Sequence, residues 1–158
     1  MQLSPCRRKS MKRLLVILVT GLVATAGRAG PKAEPVAYYV QLIRGSDQDQ
    51  SPEPNGKRIH PQLAGAFHSV FKWKSYWEIS SRHVELEAGR ATRVRLNPQR
   101  EVEIDLSEPS RRAVTAFLNG KKVQRTVSPR SEERTLIGGD RDGNSAWFIV
   151  VSRNTPEQ

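Results

Sequence analysis

Two stretches decide the fold: Thr92-Arg93-Val94-Arg95-Leu96 and Val102-Glu103-Ile104-Asp105-Leu106. Each alternates apolar and charged residues with period two, the pattern of a strand with one buried and one wet face. The first carries cations on its wet face and the second carries anions. Matching their apolar faces in a hairpin puts Leu96 opposite Val102 and Val94 opposite Ile104. Arg95 then meets Glu103 and Arg93 meets Asp105. Such exposed pairs hold register more than they add stability, because a one-residue slip would bury the charges.

Outward from this hairpin the same period recurs. Strands are expected at Val36 to Arg44, Tyr76 to Ser80, His83 to Leu86, Ala113 to Leu118, Val123 to Val127, Thr135 to Gly138 and Trp147 to Val151. Turn signals separate them: Ala88-Gly89, Asn97-Pro98, Glu108-Pro109, Asn119-Gly120, Pro129 and Asp140 to Asn144. Asn119-Gly120 is a strong two-residue hairpin signal that pairs Leu118 with Lys121 and Ala116 with Val123, so that Val114, Ala116, Leu118 and Val123 share one apolar face. Helical spacing appears once in this part of the chain. Leu63, Phe67, Val70 and Phe71 form a single apolar stripe over residues 61–71, and Pro61 suits the first turn. Residues 45–60, rich in Pro, Gly, Ser, Asp and Gln, read as a mobile loop with nothing to pack. The expected fold is α+β with β dominant. An antiparallel β-meander forms a small sandwich or open barrel, with one amphipathic helix after the first strand.

The N-terminus reads differently. Arg7, Arg8, Lys9, Lys12 and Arg13 precede an apolar run from Leu14 to Val23, and small residues follow at Ala24-Thr25-Ala26. The run is too short for the roughly 20 residues that cross a bilayer as a helix. A basic head, a short apolar body and an A-x-A exit make a cleavable export signal over residues 1–26. Residues 27–35 then form a polar lead-in, 36–153 one domain and 154–158 a disordered tail. The protein is expected in the periplasm or secreted, with membrane contact only through an uncleaved signal. Of its 26 basic and 16 acidic side chains the signal holds five and none, so the net charge falls from +10 to +5 on cleavage. Cys6, the sole cysteine, lies ahead of the apolar run. Cleavage leaves a domain without thiols or disulfides, which must rely on its core.

Catalytic patterns are sparse. His60, His68 and His83 lack metal-ligand spacing. Glu101, Glu103 and Asp105 share a strand face, but the facing arginines would hold them ionised. No G-x-S-x-G elbow is present, and a mature thiol nucleophile is absent. Asp140, Asp142 and Asn144 are the one set to weigh for calcium. Their order departs from the EF-hand loop and Val151 stands where its closing Glu would be, so a hairpin turn is the plainer reading. Lys72, Trp73, Lys74 and Tyr76 interleave cations with aromatics, as in surfaces that bind glycan rings or anions; the plainer reading puts Trp77 in the core and the lysines in solvent. Export argues against nucleic acid. No cofactor is implied. The expectation is a small, non-catalytic exported protein of the bacterial-envelope type, binding or assembling with an envelope protein or an anionic or glycan surface. The alternative is an enzyme acting on cell wall or polysaccharide through carboxylates that the sequence does not single out.

Overall fold

The computed structural model describes residues 34–153, except the side chains of Asp140 and Asp142. The expected export segment, most of the lead-in and the tail lie outside the described residues. The elements run β1 (Val36–Ser46), β2 (Lys57–Arg58), α1 (Pro61–Val70), β3 (Ser75–Leu86), β4 (Ala91–Arg95), β5 (Arg100–Asp105), β6 (Arg111–Leu118), β7 (Lys121–Pro129), β8 (Arg134–Asp142) and β9 (Ser145–Ser152). No helix among the described residues is long and apolar enough to cross a membrane.

Two antiparallel sheets pack face to face without closing into a barrel, so the fold is β-dominant α+β. One sheet has the order β2-β3-β1-β9-β8 and the other β4-β5-β6-β7. The meander is confined to the four-stranded sheet; in the larger one the first and last strands lie side by side. Between the sheets Val40, Leu42, Val102, Ile104, Leu106, Val114 and Val151 are fully buried. The far face of the five-stranded sheet is covered by α1, through Leu63 and Phe67 against Ile43, Tyr76, Phe148 and Val150. Strand β9 is thus buried on both faces, in all eight residues. This is why it reads as a continuous apolar run rather than an alternation.

Several expectations need correction. In the β4–β5 hairpin the faces are as expected but the register is moved by two residues. Val94 pairs with Val102, Arg93 with Glu103 and Arg95 with Glu101. The cause is the turn: the Asn97 side chain accepts the N–H groups of Gln99 and Arg100, and the Leu96 N–H donates to the Arg100 carbonyl. An Asx turn therefore starts β5 at Arg100. Asn119-Gly120 does pair Leu118 with Lys121, but a bulge then sets Ala116 against Gln124 and leaves Val123 half exposed. The two strands expected at 76–80 and 83–86 are one strand, β3, irregular opposite Leu42/Ile43. Residues 45–60 are not without packing: Ile59 is buried in the second core, Lys57–Arg58 pair with β3, and Glu53 is 3.2 Å from Arg44.

Helix α1 is shorter than its apolar stripe. It ends at Val70, and Phe71 is already extended while its N–H still donates to the Phe67 carbonyl. Leu63 and Phe67 face the sheet, but Val70 is 69% exposed. The helix overhangs the apolar patch that it covers, and its free end forms the wall of a cleft.

Candidate binding cleft

The cleft has a volume of about 610 Å³ and lies between the C-terminal end of α1 and the β8–β9 hairpin. Val70, Phe71, Lys72 and Trp73 form one wall; Gly139, Arg141, Gly143 and Asn144 form the other. Phe148 and Ala146 of β9 lie beneath, and Asp47 closes one side.

Each wall is set by local chemistry. The Tyr76 hydroxyl donates to the Phe71 carbonyl at 3.1 Å, tying the chain down where the helix stops. The Phe71 ring rests 4.5 Å from that of Phe148, centre to centre, and Phe67 meets Phe148 edge-on at 5.1 Å. Trp73 packs closely against Gly45: a Cβ there would fall 2.7 Å from the indole Cδ1. Only glycine admits the ring at this point. On the other wall Gly139 is the extra residue of a β-bulge, with φ of +102°. The bulge bends the hairpin end that carries Arg141. Gly143-Asn144 makes the turn itself.

The charges are unequal in freedom. Lys74 is engaged, its ammonium 3.0 Å from Asp49 and its backbone N–H donating to Asp47. Lys72 and Arg141 are exposed and make no ion pair among the described residues. Burial raises the Tyr76 phenol above its usual range, with the nearby Asp47 carboxylate adding to the rise and a backbone hydrogen bond with Trp73 opposing it.

The residues singled out in the sequence divide here. Lys72 and Trp73 line the cleft. Lys74 turns to Asp49, and Tyr76 is 3% exposed, supporting the wall from below. Trp77 is buried. Asn144 lines the cleft from the opposite wall, while the side chains of Asp140 and Asp142 lie outside the described residues, at the end of β8. The sequence reading missed Phe71 and Val70, taken for a core stripe, and Arg141, hidden between two aspartates.

A second polar group occupies the part of the same sheet face that α1 leaves bare. The half-buried Glu78 carboxylate accepts from the Tyr39 hydroxyl at 3.3 Å and from the Gln41 amide at 2.5 Å. The His83 ring lies 4.6 Å from that of Tyr39. Burial raises the Tyr39 phenol, Glu78 contributing to the rise and a Ser81 hydrogen bond opposing it. No group of three or more Asp, Glu, His or Cys side chains placed to hold a metal ion occurs among the described residues.

On the four-stranded sheet Arg95 is 2.8 Å from Glu101 and Arg93 is 3.1 Å from Glu103, so two of the three carboxylates face arginines, while Asp105, expected opposite Arg93, faces Ala91 instead. No protein-family model, curated protein or solved structure matches the chain.

Proposed function

We propose that this protein is a small exported envelope protein that binds its target non-catalytically, through the cleft between α1 and the β8–β9 hairpin. One observation carries the reading: Lys72 and Arg141, two exposed cations with no ion pair among the described residues, stand beside two half-buried rings, Phe71 and Trp73, in a cleft of ligand size. On β4 and β5, by contrast, Arg93 and Arg95 are paired with Glu103 and Glu101. The basic head and short apolar run of residues 7–26 support export.

The test is co-sedimentation of the purified full chain with the native host's envelope fraction, together with the N-terminal sequence of the protein recovered from that host. Binding that falls with Lys72→Gln and Trp73→Ser, and a mature N-terminus near Gly27 or Gly30, are expected. An intact N-terminus on cytosolic protein removes export; envelope binding untouched by both substitutions removes the cleft.

A polysaccharide-acting enzyme is the second reading, favoured by the Glu78, Tyr39 and His83 grouping. It requires turnover of envelope polysaccharide that Glu78→Gln abolishes.

A further inference from the structure

We propose, building on the binding reading above, that the cleft takes an acidic glycan: a sugar ring bearing a carboxylate, phosphate or sulfate. The two walls supply different halves of such a ligand. Phe71 and Trp73 offer flat apolar faces, which suit the C–H face of a pyranose. Their positions are fixed, Phe71 by Phe148 and the Tyr76 hydroxyl, and Trp73 by the bare backbone of Gly45. A ligand stacking on them meets rings that need no reordering.

The acid group has two cationic partners. Arg141 presents a planar fork that matches a carboxylate or phosphate, and Lys72 adds a mobile point charge. Both are exposed and neither makes an ion pair among the described residues. Arg44 and Lys74, by contrast, already have Glu53 and Asp49.

Asp47 and Asn144 argue for a sugar over a bare anion or a lipid tail. An aspartate in the cleft repels a dense polyanion, yet a carboxylate and an amide are good partners for hydroxyls. Asp47 spends one oxygen on the Lys74 N–H, and the other accepts no hydrogen bond among the described residues. Hydroxyls beside one negative charge satisfy all of these groups together.

The experiment is calorimetric titration of the purified full chain with three probes: trigalacturonate, its neutral methyl ester, and inorganic phosphate. Trigalacturonate should bind about 10-fold or more tightly than the ester, as expected for loss of a charge-assisted contact. Lys72→Gln and Arg141→Gln should each erase most of that margin and leave the ester's affinity unchanged. Both side chains are exposed, so these variants are expected to fold; far-UV circular dichroism checks it. Trp73→Ser should weaken both sugars alike. Equal binding of acid and ester overturns the acidic preference and leaves the cleft reading standing. Phosphate binding as tightly as trigalacturonate overturns the sugar. If neither sugar binds while Lys72→Gln still impairs envelope co-sedimentation, the glycan proposal falls alone. If that co-sedimentation is also unaffected, the cleft reading falls with it.

Discussion

Removing Arg95 and Glu101 singly and together, and doing the same for Arg95 and Glu103, separates the register in the structure from the one that simple face matching suggests. Arg95 Nε and Nη2 both donate to the same Glu101 oxygen, at 2.9 and 2.8 Å. The bare attraction of two charges about 4 Å apart is roughly 4 kcal/mol at an effective dielectric of 20 and about 1 kcal/mol in water. Arg95 is 72% exposed, whereas Glu101 is 17% exposed, which places the pair near the watery limit. Side-chain entropy subtracts further, so the expected coupling is about 0.5–1 kcal/mol. Arg95 and Glu103 share no contact and should couple by less than about 0.3 kcal/mol. Urea unfolding of the wild type, the three single and two double alanine variants yields both numbers. Repeating it at 1 M salt, where the Debye length drops to about 3 Å from about 10 Å at 0.1 M, should remove most of the first coupling. A larger coupling for Arg95 with Glu103 would refute the structure's register.

Further outcomes are expected from the second core and the titrating groups. Phe148→Ala removes a ring that touches Phe67, Phe71 and Tyr76 and should cost about 3–5 kcal/mol in chemical unfolding, with loss of the α1 helical signal before the sheets melt. Gly45→Val should push Trp73 off its seat: in 5-fluorotryptophan-labelled protein, one of the three fluorine resonances should shift toward the solvent value while the other two stay. Tyr39 and Tyr76 ionise less readily in the folded chain than in the unfolded one. Their stabilisation is therefore complete below about pH 10, the unfolded value, and declines as pH rises toward the raised folded values. Thermal melts from pH 8 to 11 check this, and Tyr76→Phe should flatten part of the decline.

The alternation in residues 92–96 and 102–106 predicted which side chains are buried, because period two assigns faces whatever the register. Register itself was not legible there. It depends on whether Asn97 captures the N–H groups of Gln99 and Arg100, a side-chain choice invisible to hydrophobic pattern. The same holds for Val123, apolar in sequence but pushed outward by the bulge after Lys122. Arg112 is a stronger case: it is wholly buried, donating to Thr135 Oγ1 and the Glu132 carbonyl, yet nothing local distinguishes it from exposed Arg111. The cleft was half legible. Lys72 and Trp73 stood out as a mixed run, and Asn144 as part of a turn, but they lie some 70 residues apart in sequence. Only the pairing of β1 with both β3 and β9 brings those segments to one place.

That pairing has a consequence for how the chain is made. Strand β9 contributes to the layer between the sheets and to the layer under α1, and it holds β8 onto the rest of its sheet. Until residues 145–152 have left the ribosome, neither layer can close, and β1 lacks one of its two neighbours. A nascent chain shorter than this has no stable core to fall into, so folding must await the end of the domain's translation. Such a late-closing architecture keeps the chain pliable until its last strand has been made.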